Sequence, residues 1–596
     1  MKYLVILESP NKITKVKAYL EQAFPNHNFI VKASMGHITE LAIKNQKYAL
    51  GIDLETMTPV YNLLETKKDT VKQLHELSKK VDKVILATDP DREGEAIAWH
   101  LQEQLNCKNK AVRLIFNEIT EKAVKEAFAK QSAINYSLVN AQQARQMIDR
   151  IMGFKLSGLL QKAVNLKSAG RVQSVALKLV VERELERKEH NKLEYWTIKQ
   201  EYQNGNDIEL FLNKAKQEIV KEKVINSKTL ADQILNELSN KLVVKEIMIE
   251  NFSKNRYTPF TTSSILQYAS VMLNFPSERT TSLLQHLFET GYITYPRTDS
   301  VRINDDFVLD TYEYIENNYG KEYVGSYKPK KLGENAQDAH EAIRPTNISL
   351  TVEQAKREIG NHSEFMLYEL IYNNTLFALM ANEVGKKYRV LFENNGYICK
   401  MDYKKYTFTS YYDLQEIALN SFDYQFEIGQ ILNLTTEWLA EQNFTKPNAR
   451  YTEPNLIKKL EIEGVGRPST YATVMKTLIN REYIKFEKKS IVPTDNGIKA
   501  YTILQKYFAN IINEKYTSEM EDILDHIADN KINKTEYLKL FYKNFILDYS
   551  NATNVIFKDS IKCSKCQIGY IIQRKSYKGN LFKACNNYPD CKNIVS

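Results

Sequence analysis

The sequence predicts a multidomain fold of α/β, α and β parts, and three observations predict it. The first 130 or so residues pair short apolar strands with amphipathic helices. The middle of the chain alternates strand-like and helical blocks. The last 34 residues hold four of the six cysteines at close spacing.

In the first block, Tyr3 to Leu7 reads as a buried strand running into Glu8-Ser9-Pro10 and a helix to about Gln22. Val84 to Ala87 reads as a second buried strand, running into Thr88-Asp89-Pro90. The helix after it carries Ile97, Leu101 and Leu105 on one face at i, i+4 spacing. Strand-then-helix units imply a parallel sheet whose functional loops lie at the carboxyl ends of the strands. Glu8 and Asp89 both occupy such ends, so the fold can bring them together.

Residues 120–190 read as helix. From 193 to 250 the pieces are strand-like (EYWTIKQEY, LVVKEIMIE), and 260–385 is again helical. Residues 386–436 return to strand (KYRVLFEN, YKKYTFTSYY). Residues 452–550 are helical, with a basic turn at Gly464-Val-Gly-Arg-Pro-Ser-Thr. Strand blocks on both sides of a helical block predict a helical domain inserted into a β domain, giving an arch or ring.

Composition sets the bounds. Of 596 residues 43% are hydrophobic and 26% charged, ordinary for a soluble globular protein. The charge of +9 permits a nucleic-acid partner without requiring one. The 37 tyrosines can stack on unpaired bases, though core filling explains most of them. Six cysteines are no disulfide framework for this length, which points to a reducing compartment. The apolar run at the N-terminus is too short for a signal peptide, and no run of about 20 apolar residues exists to span a membrane.

The acidic run Asp89-Pro-Asp91-Arg-Glu93-Gly-Glu95 follows a buried strand. Alternating carboxylates on a loop supply hard oxygen ligands for Mg²⁺ and repel one another unless a cation offsets them. Any one of these acids alone reads as a helix N-terminal acid; the run together with Glu8 reads as a metal site. Glu8, crowded by other acids, is a candidate proton donor with a raised pKa. Lys12, one turn later, can meet a phosphate, although Glu-Lys at this spacing is commonly a plain helix pair.

ILESPNK with DPDREGE resembles the Toprim domain of primases, nucleases and topoisomerases. GYITYPRTDS, with Tyr295, resembles the active-site segment of type IA DNA topoisomerases. A tyrosine phenol is a weak nucleophile, and Arg297 two residues on can stabilise both phenolate and phosphoryl transition state. ASMGHITEL, FNEIT, NAQQARQMIDRIMGF, SAGRVQSVALKLVVERE, TPFTTSSILQYAS, DAHEAIRPT, EGVGRPSTYA and IVPTDNG follow the family's order and spacing.

The resemblance implies the following. Tyr295 attacks a phosphodiester to form a 5′-phosphotyrosine, and Arg297 steadies the scissile phosphate. Glu8 handles the proton on the leaving 3′ oxygen, and Lys12 contacts a phosphate. Asp89, Asp91 and Glu93 bind Mg²⁺. His37, Arg145, Asp149, Arg171, Gln173, Glu289, Thr294, Asp299, His340 and Arg344 surround the nucleophile or line a single-strand groove. One departure is Gln146, where family members commonly carry a second arginine after Arg145.

Cys563-x2-Cys566-x18-Cys585-x5-Cys591 suits a tetrahedral Cys₄ zinc ribbon, and CNNYPDC resembles the ribbons that follow the type IA core. Arg574, Lys575, Tyr577, Lys578 and Phe582 give it mixed charge and rings. No GxxxxGK[ST] loop is present, so no nucleotide is expected. The expected organisation is a Toprim domain (1–135), a helical DNA-binding domain (136–192 and 446–550), a β-rich arch (193–254 and 386–445), a helical domain carrying Tyr295 (255–385) and a ribbon (560–596). Together these form a toroidal gate. The expected activity is ATP-independent relaxation of negatively supercoiled DNA, by a monomer in the cytoplasm at the bacterial nucleoid. The alternatives are a topoisomerase III-like decatenase and a Toprim primase or nuclease. Whether the ribbon meets DNA or a protein such as RNA polymerase is left open.

Overall fold

In a computed structural model of the chain, the described residues are 1–42, 50–164, 166–212, 225–328, 341–556, 561–567, 569–575, 581–585 and 591–595. The N-terminal sheet has four parallel strands in the order Asn28–Ala33, Lys2–Leu7, Lys83–Ala87, Ala111–Arg113. Leu4, Val5, Ile6 and Leu7 are fully buried because helices cover both faces. The helices Ile13–Ala23 and Glu121–Ala129 pack on one face, and Lys68–Lys79 and Arg92–Gln104 on the other. The two central strands pair Leu7 with Ala87, so Glu8 and Asp89 leave adjacent carboxyl ends.

Asp91 caps the helix Arg92–Gln104, its carboxylate accepting from the Gly94 amide. A Cβ on Gly94 would lie 2.1 Å from the Asp89 carbonyl oxygen, so only glycine allows this tight return.

A seven-stranded antiparallel sheet has the order Ile431–Asn433, Lys241–Lys254, Glu383–Asn394, Tyr397–Phe408, Asp207–Leu212, Glu194–Glu201, Leu439–Phe444. Within it, the pairing of Lys241–Lys254 with Glu383–Asn394 joins Lys254 to Glu383. The helical block between those residues therefore leaves and re-enters the sheet at one place. This block, which includes Thr262–Met272, Ser277–Glu289 and His362–Leu379, shares a continuous core with one face of the N-terminal unit.

A second helical body is built from two distant stretches, among them Tyr136–Val164, Arg171–Glu189, Tyr471–Asn480, Glu514–Ala528 and Lys534–Ile556. The tail forms three short antiparallel strands, and Tyr570 donates to Asn554 of the last helix at 3.0 Å. Among the described residues no helix is long and apolar enough to cross a membrane.

Three local expectations change. The segment YKKYTFTSYY ends as a strand at Phe408, and Tyr411–Leu414 form a helical turn after Ser410 at φ 53°. Tyr411 and Tyr412 then enter the core around Tyr295; burial overrides their strand propensity. A helix, Lys228–Glu237, packs Ala231 and Ile234 on the large sheet, within a region read as strands. A hairpin, Ile484–Glu487 with Ser490–Pro493, interrupts the stretch read as wholly helical.

Candidate active site

Tyr295 follows the helix Ser277–Glu289 on a short extended segment, and its backbone amide donates to the Asn117 carbonyl at 2.8 Å. The side chain is 3% exposed. Its hydroxyl donates to Oδ2 of Asp91 at 2.6 Å, and Arg297 donates to the same oxygen at 3.2 Å. Tyr295 and the acidic loop thus meet across two separately built parts of the chain. Burial, then the Asp91 charge, pushes the phenol well above its ordinary value, and Arg297 opposes this. Burial disfavours the Asp91 carboxylate, yet Arg297 and the Tyr295 hydroxyl hold it below its ordinary value.

Glu8 stands beside this pair. Burial, then the charges of Asp89 and Asp91, pushes it up to about 7 against the opposing pull of Lys12 and Arg297. Lys12 is 1% exposed and forms an ion pair with Asp89. Its ammonium also lies 4.6 Å from the centroid of Phe288. Phe288 meets the Tyr295 ring edge-on at 5.2 Å, so one aromatic ring packs against both Lys12 and Tyr295. Glu289 accepts from Asn11 at 2.7 Å and from Gln285 at 3.0 Å.

A cleft of about 1040 Å³ opens from Glu8 along the second helical body. His37, Arg145, Asp149, Arg171, Gln173 and Arg297 line it. His37 is hydrogen-bonded to Glu93 at 3.2 Å, a bond that raises its pKa. Arg171 is 2% exposed, held by Asp149 at 3.1 Å and by Glu521 at 2.6 Å. Arg145 lies 3.6 Å from the same Glu521. Gln146 accepts from the Tyr61 hydroxyl at 2.9 Å, a bond an arginine there could not accept.

Two other expected residues lie behind Tyr295 rather than in the cleft. Arg344 is 3% exposed and tied to Glu118 at 3.0 Å and Glu341 at 2.8 Å. The Thr294 hydroxyl donates to the Ala342 carbonyl at 2.7 Å. Asp299 is exposed and borders a small adjoining cavity with Arg467 and Asp525. His340 lies outside the described residues, as do Tyr577 and Lys578.

Glu95, the last carboxylate of the acidic run, is buried against Arg113 at 2.9 Å. Arg113 also donates to the carbonyls of Leu86, Thr88 and Asp89 and so fixes the carboxyl end of that strand. Arg113, Asn11 and Gln285 were not singled out from sequence, and nothing local marks them. Arg467 sat in a visible basic turn but was given no role.

Glu8, Asp89, Asp91 and Glu93 supply the hard oxygens that Mg²⁺ takes, and the raised Glu8 marks negative charge that a cation would offset. Each of the other three is paired within the protein in this state: Asp89 with Lys12, Asp91 with Tyr295 and Arg297, Glu93 with His37 and Gln142. In the tail, the sulfurs of Cys563, Cys566, Cys585 and Cys591 lie within 4.8 Å of one another, as tetrahedral zinc needs. Asn593 and the Gly569 amide each donate to a cysteine sulfur at 3.3 Å, the outer support such a site requires.

A buried tyrosine with an arginine partner, facing an acidic loop at the ends of parallel strands, is an arrangement suited to tyrosine-based phosphoryl transfer. Residues 133–539 match the family described as DNA topoisomerase, 3–119 the Toprim domain, and 560–596 the topoisomerase DNA binding C4 zinc finger. The chain is 36% identical to DNA topoisomerase 1 of Campylobacter jejuni, over 99% of this chain and 85% of that one. It is 37% identical to DNA topoisomerase 1 of Helicobacter pylori, over 100% and 82%. Full-length topoisomerase I from Thermotoga maritima has the same fold, with a TM-score of 0.82 at 31% identity over 100% of this chain and 97% of that one. The chain belongs to the type IA DNA topoisomerases, in the bacterial topoisomerase I branch. The Toprim domain is the family's Mg²⁺-binding domain, and the ribbon carries structural zinc.

Proposed function

We propose that this protein relaxes negatively supercoiled DNA without ATP, cutting one strand through Tyr295, passing another through the gap and resealing. The hydrogen bond between Tyr295 and Asp91 carries the reading, because it sets the nucleophile at a boundary between two parts of the fold. A single strand lies in the cleft, where Arg145, Gln173 and His37 meet it, the buried Arg171 backs the wall and Arg297 grips the scissile phosphate.

The Tyr295 oxygen attacks phosphorus and the bond to the 3′ oxygen breaks, leaving a 5′-phosphotyrosine. The phenol proton leaves toward Asp91. The 3′ oxygen takes a proton from Glu8, which burial and neighbouring acids keep partly protonated near neutral pH. Lys12 and Arg297 offset charge on the phosphate. Asp89, Asp91 and Glu93 would hold Mg²⁺, which when bound would supply positive charge at the phosphate for resealing. Resealing runs the exchange backward, and one ester replaces another, so no nucleotide is consumed.

The fold divides for this task as the alternation of strand and helix suggests. Residues 1–135 carry the acidic loop, 136–192 with 446–550 the strand groove, 193–254 with 386–445 the arch, 255–385 the nucleophile, and 560–596 the ribbon. The protein acts as a monomer in the bacterial cytoplasm on single-stranded segments. The test is denaturant trapping on a single-stranded oligonucleotide labelled on the 3′ side of the cut. Label on the wild-type protein and none on Tyr295→Phe is expected; label on Tyr295→Phe rules the assignment out.

A further inference from the structure

Arg92 and Arg467 share one carboxylate. Arg92 opens the helix behind the acidic loop, and Arg467 lies in the turn before Tyr471–Asn480. Oδ1 of Asp525 pairs with Arg92, and Oδ2 accepts from Arg467 at 2.8 Å. Asp525 therefore offers one oxygen to each of two guanidinium groups from parts of the chain hundreds of residues apart. Two non-bridging oxygens of a phosphodiester present themselves in the same way.

Asp525 lies on the helix Glu514–Ala528, where Asp522 also stands 3.9 Å from Arg467, and another carboxylate there behaves differently. Glu521, one turn earlier, is fully buried against Arg171. The side chains of Arg92, Asp525 and Arg467 are 16%, 17% and 23% exposed, and they border a small cavity of about 100 Å³ that Arg297 and Asp299 also line. Exchange at Glu521 would strand buried charge, whereas the Asp525 pairs are reachable from the cleft. Unlike a fully enclosed pair, an ion pair that the cleft reaches can be exchanged for another anion without stranding a charge. A phosphate that replaces it gains two cations and releases counterions from the DNA.

We propose that Asp525 stands in for a DNA phosphate: it keeps Arg92 and Arg467 together while the cleft is empty, and a strand phosphate displaces it on binding. The proposal rests on the reading that single-stranded DNA occupies this cleft. Asp525 is then a positioning residue that lowers affinity for DNA, and it couples strand entry to the loop carrying Asp91 through Arg92.

The experiment is fluorescence-anisotropy titration of a single-stranded oligonucleotide against the full chain, in chelator, over a range of salt. Asp525→Asn is compared with Asp529→Asn, which removes the same charge from the exposed end of the same helix, where it pairs with Lys531. Asp525→Asn is expected to bind about three-fold or more tighter than Asp529→Asn. Its log–log salt dependence is expected to steepen by about 0.7 for each phosphate gained. Adding Arg467→Ala is expected to erase that gain. Equal affinities for the two aspartate variants, or a gain that survives Arg467→Ala, overturns the proposal. A wild-type protein that binds no single strand overturns the reading beneath it, a distinct outcome. Thermal melts of each variant show whether a failure to bind comes from unfolding.

Discussion

The Tyr295 hydroxyl donates to Asp91 at 2.6 Å, and the two residues are 204 positions apart in the chain. The pairing closes the contact between the helical block and the acidic loop. Tyr295→Phe removes that hydroxyl and leaves the surrounding packing with Phe288 intact. It is expected to bind single-stranded DNA within about five-fold of wild type, since one part-buried hydrogen bond contributes about 1 kcal/mol. It is expected to give no covalent adduct. Affinity lost in proportion to activity would make Tyr295 a binding residue.

Glu8 sits at about 7 because of burial and its acidic neighbours. As the acid for the leaving oxygen it must be protonated, so cleavage in chelator is expected to fall as pH rises through about 7. Glu8→Gln is expected to slow cleavage by about 10²-fold and to remove that limb of the profile. A variant with the wild-type pH profile would move the proton to another group.

Glu521 is fully buried, and after the opposing effect of burial Arg145, Arg171 and Arg467 hold its carboxyl far below the ordinary 4.5. Its contribution to stability is present above that ordinary value and is lost as pH falls below it toward the depressed folded value. Glu521→Gln leaves buried arginines uncompensated and is expected to destabilise by about 3–5 kcal/mol. Urea melts from pH 5 to pH 2 are expected to show wild type losing stability more steeply than the variant. Parallel losses would place the acid sensitivity elsewhere.

The four tail sulfurs lie close enough to share one ion. Metal analysis is expected to find about one zinc per chain, and fewer in Cys585→Ser, with the helical core still melting cooperatively. Wild-type protein without zinc would contradict the ribbon assignment.

Much of this site was legible in the sequence. Glu8 and Asp89 could meet because both end parallel strands, and the structure pairs those strands at Leu7 and Ala87. Arg297 beside Tyr295 was local. The buried ion pairs were not legible: Arg171 reaches Glu521 across 350 positions, and no local pattern encodes such a partner. The same limit hid Arg113, whose role is to bond carbonyls that every sequence has. Tyr411 and Tyr412 misled because aromatic runs suit strands and cores alike, and tertiary packing decided between them.

The most direct test is relaxation of negatively supercoiled plasmid with Mg²⁺ and no nucleotide, followed on a gel. Wild type is expected to give a ladder of topoisomers of stepwise changing linking number, and Tyr295→Phe to leave the plasmid supercoiled. Undiminished supercoiling with wild-type protein, or equal relaxation by both, would contradict a gate that opens through Tyr295.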